Sequence, residues 1–149
     1  MQIVDRFLGY TAINTTTNRE AGAAGVMPSS PGQRVLADKV AEELIALGLT
    51  VEVADNAILT ATLPANVGGD LPTVAFFAHL DTSAEHTNDT HAQVVAYEGG
   101  DICLNAEQQI TLRQSEFPEL ANYVGDRIIV TDGTSLLGAD DKAGVSIVM

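Results

Sequence analysis

Arg127-Ile128-Ile129-Val130-Thr131-Asp132-Gly133-Thr134-Ser135-Leu136-Leu137-Gly138-Ala139-Asp140-Asp141-Lys142-Ala143-Gly144 is the stretch from which the rest of the chain is read. Its first four residues form an apolar run that reads as a buried strand, and the run leads through small residues to paired carboxylates. Adjacent carboxylates at a strand-to-helix junction suit a divalent cation, because hard anionic oxygens bind such ions and glycine lets the backbone come close. A second stretch supplies the complementary ligand type. Val74-Ala75-Phe76-Phe77-Ala78 reads as another apolar strand, and His79-Leu80-Asp81-Thr82-Ser83 sits at its carboxyl end. Open α/β sheets place their ligands at such ends.

Each pair alone has a plainer reading. His79 and Asp81 share one face of a strand, since the side-chain period is two, yet a histidine there is more often a hydrogen-bonded structural residue. Asp140-Asp141 could equally be a helix N-cap, because carboxylates satisfy the free amides of a first turn. Taken together, imidazole and carboxylate at two neighbouring strand ends form a ligand set for zinc, manganese or cobalt. His86 and His91 lie in a polar loop and read as solvated, Lys142 as the partner of a nearby carboxylate, and Asp132 as a ligand or a turn residue.

The chain has 149 residues, enough for one domain with a real core. It carries 7 Lys+Arg against 20 Asp+Glu, a formal charge of −13. That balance argues against nucleic acid and anionic membrane as partners, whose phosphates would be repelled; solubility alone also accounts for it. No signal peptide opens the chain and no run approaches a membrane span. With Cys103 alone, no intrachain disulfide forms, which fits a reducing cytoplasm.

In chain order, Ile3, Val4, Phe7, Leu8 and Thr11 fall on one face of an opening helix. Residues 14–27 have no period and read as loop. Ser30-Pro31-Gly32-Gln33 is a helix start, with Leu36, Val40, Leu44 and Leu47 along one face and Gly48 as the stop. Residues 50–54 and 58–63 alternate around Asp55-Asn56, the pattern of a hairpin. A short strand is expected at 94–97, and residues 102–123 carry mixed signals. The runs at 74–78 and 128–130 are expected to be central strands covered on both faces, giving an α/β layer fold. Residues 143–149 read as a helix apolar nearly all round, which belongs in an interior; the chain is therefore expected to be the front piece of a longer protein.

The motifs Phe76-Phe77-Ala78-His79-Leu80-Asp81-Thr82-Ser83 and Leu136-Leu137-Gly138-Ala139-Asp140-Asp141-Lys142-Ala143-Gly144 resemble the two N-terminal metal motifs of the di-zinc aminopeptidase/carboxypeptidase family. Thr82-Ser83 and the extended run from Ala139 to Gly144 resemble its tripeptide aminopeptidase branch most. The likeness runs from end to end, including 61–67, 99–102 and 131–133. It implies a zinc-exopeptidase-like mixed β-sheet flanked by helices. Residues 1–149 would then be the N-terminal portion of the catalytic domain, without its remainder or the lid and dimerisation domain.

The resemblance implies that His79 ligates one metal and Asp140 bridges two. Asp81, the remaining catalytic-site residue, would stand behind His79 and orient its ring, and the Asp140–Asp141 peptide would be cis. The implied reaction is release of the N-terminal residue from tripeptides by water activated between two Zn2+ ions. Its partner is a small peptide substrate, with homodimerisation through regions outside this chain. The family's general base and remaining ligands follow the bridging aspartate at positions this chain does not contain, so the 149 residues alone are expected to be inactive. Dipeptidases, carboxypeptidases and amino-acid deacylases share the motifs and stay open as alternatives, as does a metal-free structural or truncated module.

Overall fold

Ser30-Pro31-Gly32-Gln33 opens the longest helix of the computed structural model, which describes residues 2–85 and 89–149. Proline fixes a helical φ at the first position, and the helix, α3 (Pro31–Ala46), follows it. The serine cap differs in detail from the expected one. Ser30 Oγ makes no capping bond, and the Gln33 side chain reaches back one residue further, accepting from the Ser29 amide at 2.9 Å. At the other end Gly48 adopts φ +87, where its amide donates to Ile45 and that of Leu49 to Leu44. This pair of bonds closes the last turn as a Schellman motif.

The opening helix α1 (Ile3–Thr11) forms as its spacing predicts, but its buried face is Phe7, Tyr10 and Thr11, with Ile3 exposed. A short helix α2 (Arg19–Ala23) interrupts the expected loop, started by Asn18 Oδ1 accepting from the Ala21 amide at 3.0 Å. Strands β1 (Thr50–Val53) and β2 (Leu59–Thr62) form the expected antiparallel hairpin, Val53 facing Leu59, against which α3 packs. Strand β3 (Gln93–Ala96) pairs antiparallel with β6 (Arg127–Val130), and β4 (Ile102–Asn105) with β5 (Ile110–Leu112). A 3-10 turn spans Pro118–Tyr123, and α4 (Ala139–Val148) lies against α1.

Two apolar clusters hold these elements. Tyr10, Leu36, Val40, Leu44 and Val145 join α1, α3 and α4, with the hairpin's Val51 and Leu59 against them. Tyr97, Ile102, Leu120 and Val130 form the second, within the β3 to β6 region. Burying a side chain of this size stabilises by about 1.5–3 kcal/mol. A polar clamp ties α1 to α3: Glu43 Oε2 accepts from Arg6 Nε at 2.9 Å and from the Tyr10 hydroxyl at 3.0 Å.

The architecture is thus mixed α/β, with three two-stranded antiparallel sheets among the described residues. It departs from the expected layered sheet at 74–78, where no strand pairing forms and Val74, Phe76 and Phe77 are 73%, 75% and 91% exposed. An all-apolar run signals cover on both faces, but a strand also needs a neighbour for its amides and carbonyls. No other strand pairs with it among the described residues. Residues 128–130 do form a strand, but on a two-stranded antiparallel ribbon. The closing helix is likewise covered only on its inner side: Val145 is buried, but Ile147 and Val148 are exposed.

Candidate metal centre

His79 follows the extended run, and its neighbours decide its direction. Leu80 packs against the first apolar cluster, and Thr82 is buried in a parallel bridge to Thr16. Alternation then turns His79 and Asp81 together towards solvent, the shared face expected from their spacing. The ring Nδ1 lies 2.9 Å from the Asp81 carbonyl oxygen and 3.2 Å from Asp81 Oδ1. Asp81 Oδ2 in turn accepts from the Thr17 hydroxyl at 2.6 Å.

Asp140 comes from the start of α4. Gly138 precedes it with φ +72, a left-handed conformation that favours glycine, and Asp140 and Asp141 themselves have non-helical backbone angles. The Asp140–Asp141 peptide is cis, as the resemblance implies. The two carboxylates do different work. Asp141 Oδ1 accepts from the Gly144 amide at 3.1 Å and so caps the helix, and a Cβ on Gly144 would stand 2.1 Å from that oxygen. The Asp140 side chain is left 94% exposed, with Oδ1 3.0 Å from His79 Nε2. The helix-capping reading of the aspartate pair thus falls to Asp141, while Asp140 faces the cleft.

Among the described residues Lys142 pairs with no carboxylate, contrary to expectation. It is fully buried, and its Nζ donates to the Ile13 carbonyl at 2.6 Å. Burial pulls its pKa down to about 8. His91 is exposed but paired, its Nδ1 2.8 Å from Asp132 Oδ2. Asp132 is a turn carboxylate: the Thr134 amide and hydroxyl donate to its Oδ1 at 2.9 and 2.7 Å, and these bonds, the amide first, with His91, hold its pKa at about 2. His86 lies outside the described residues.

His79, Asp81 and Asp140 line one cleft of about 450 Å³, walled on its apolar side by Leu136, Leu137 and Ala139. Partial burial lowers the His79 pKa, but the Asp140 hydrogen bond, the Asp81 carbonyl and the charges of both aspartates outweigh it, and the net shift is upward. A ring nitrogen facing a carbonyl oxygen must be a donor, so in neutral His79 the proton sits on Nδ1 and Nε2 presents a lone pair to Asp140. Two acceptors at 3.0 Å repel unless a proton or a cation lies between them. Two donor atoms on one tetrahedral zinc stand roughly 3.4 Å apart, so a few tenths of an ångström of side-chain movement would admit the ion. The donor set therefore fits a divalent metal. Among the described residues no group of three or more His, Cys, Asp or Glu side chains is placed to hold a metal ion together.

Sequence reasoning missed Thr17 and the Ile13 carbonyl. Thr17 lies in the aperiodic segment and Ile13 just before it, both far from their partners in sequence, which local patterning does not reach.

Over its whole length the chain is similar to proteins named peptidase T. That of Parabacteroides distasonis is 46% identical over 151 residues, covering 100% of this chain and 36% of the relative. Those of Geobacillus thermodenitrificans and Caldanaerobacter subterraneus subsp. tengcongensis are 46% and 47% identical over 99% and 97% of this chain, again 36% of each relative. The chain thus spans about a third of the length of the curated relatives it matches, consistent with an N-terminal portion of peptidase T. No family model matches it.

Proposed function

We propose that the full-length protein is a zinc-dependent aminopeptidase that releases the N-terminal residue of tripeptides, and that this chain contributes one end of its metal centre. The observation that carries the reading is the lone pair of His79 Nε2 aimed at Asp140 Oδ1, 3.0 Å away, at the mouth of a cleft. The similarity to proteins named peptidase T supports the same class.

His79 would ligate one metal ion, and Asp140 would be shared between two. When bound, the metal pair supplies Lewis acidity and makes a water molecule acidic enough to yield a nucleophile near neutral pH. Asp81 holds the Nδ1 proton, which keeps His79 in the tautomer that ligates and makes it a stronger donor. Asp141, by capping α4, fixes the backbone from which Asp140 projects. Leu136, Leu137 and Ala139 give the peptide's side chain an apolar wall and limit water there. On this reading the remaining ligands and the general base would lie in parts of the full-length protein outside this chain, as the family resemblance implies, and the 149 residues alone would not hydrolyse peptides.

The test is hydrolysis by the full-length protein of a tripeptide, the matching dipeptide, an N-acetylated tripeptide and an N-acylated amino acid, before and after chelation. Cleavage of the free tripeptide alone, lost on chelation and restored by zinc, is expected. Preference for the dipeptide or the acylated substrates, or activity untouched by chelation, contradicts the proposal.

A further inference from the structure

The two ends of the candidate centre come from residues 61 positions apart, and one short segment touches both. Ile13 accepts the buried Lys142 ammonium at 2.6 Å, two residues from Asp140. Thr15 accepts from the Thr82 amide at 3.1 Å, and the Thr17 amide donates to the Thr82 carbonyl at 2.9 Å. Thr17 then places its hydroxyl 2.6 Å from Asp81 Oδ2.

The segment is itself pinned from behind by α3. Gln33 Nε2 donates to the Thr15 carbonyl at 3.3 Å, and Gly32 packs so closely that a Cβ there would stand 1.7 Å from the Asn14 carbonyl oxygen. Thr15 is fully buried.

We infer that residues 13–17 are a positioning strap for the metal centre, with Thr17 as the positioning residue that fixes Asp81 and, through it, His79. This inference rests on the reading of His79 and Asp140 as metal ligands. Asp81 Oδ1 and its carbonyl face the imidazole while Oδ2 is bound to Thr17, so the carboxylate has its rotation fixed from the side away from the ring. Without the hydroxyl the carboxylate can turn, the imidazole can exchange tautomer, and the share of molecules with Nε2 free for a metal falls. Such partners behind a metal-ligating histidine typically change metal affinity by about 10–100-fold.

The experiment compares wild type with T17V, which removes the donor and keeps the branched shape, and with T17S, which keeps the donor. Two readouts are taken on full-length protein: zinc affinity by calorimetry, and, in metal-free protein at a pH where His79 is neutral, the ring tautomer by nitrogen-15 NMR. Expected in T17V are zinc binding weaker by about tenfold or more and a smaller share of the Nδ1-protonated tautomer, both restored in T17S. T17V unchanged in both readouts, or T17S as impaired as T17V, overturns the inference. A wild type that binds no zinc, while T17V still shifts the tautomer, overturns the metal reading and supports the positioning role of Thr17.

Discussion

Nε2 of His79 and Oδ1 of Asp140 stand 3.0 Å apart at the mouth of one cleft, although 61 residues separate them in the chain. The Asp81 carbonyl holds the other ring nitrogen at 2.9 Å, so the contact is an acceptor pair whenever the imidazole is neutral.

A proton and a metal ion therefore compete for Nε2. The His79 pKa is raised by Asp140 and Asp81 beyond what burial takes away, so zinc affinity should begin to fall with acidification above the ordinary imidazole range. In the metal-free protein the sign reverses. The stability that protonated His79 contributes is full below its unfolded pKa and is lost as pH rises through the raised folded one. Zinc titrations of the wild type across neutral pH check the first statement, and denaturant melts of metal-free wild type and D140N, which lacks the Asp140 charge, check the second.

The clamp between α1 and α3 gives an acid-side prediction. Burial raises the Glu43 pKa, but bonds from Arg6 and Tyr10 outweigh it and the net shift is downward. Its contribution is present above the unfolded carboxylate pKa and disappears as pH falls through the folded one. Denaturant melts in acid should show this loss in wild type and a flatter profile in E43Q. The same clamp acts at the alkaline end, where burial and Glu43 push the Tyr10 hydroxyl upward, so stability falls once pH passes the ordinary tyrosine value.

Gly32 should tolerate no side chain. Ala at this position would put its Cβ 1.7 Å from a backbone oxygen, which cannot move aside as a side chain would. G32A is expected to lower the melting temperature and weaken zinc binding together, whereas L36A, which leaves a cavity, should cost about 2–5 kcal/mol of stability with little change in affinity. Equal affinity in G32A and wild type would show that α3 does not support the centre.

Phe76 and Phe77 are predicted to drive self-association of the 149-residue chain, being 75% and 91% exposed beside Val74. Sedimentation of this chain at rising concentration should show oligomers, reduced in the F76S/F77S variant.

Local chemistry made much of this legible from sequence. Proline at the first turn of α3, Gly48 past its end and the alternation around Asp55-Asn56 each act within a few residues, and each appears where expected. The face shared by His79 and Asp81 follows from strand alternation, again a local rule. What sequence could not reach depends on distant partners. Residues 74–78 have strand composition but no strand beside them among the described residues, Lys142 bonds to a carbonyl 129 residues away, and Thr17 meets Asp81 across 64 residues. Tyr10, in the first core, escaped because it lies beside Phe7 and Thr11 on the buried face of α1 but outside the apolar spacing that marked that face.

The central claim is that His79 and Asp140 bind the same metal. Calorimetric zinc titration of the full-length protein, of its H79A variant and of its D140A variant tests it most directly. Micromolar or tighter binding in the wild type, lost in both variants, is the predicted result; binding that survives unchanged in either variant, or a wild type that binds no better than both, would contradict it.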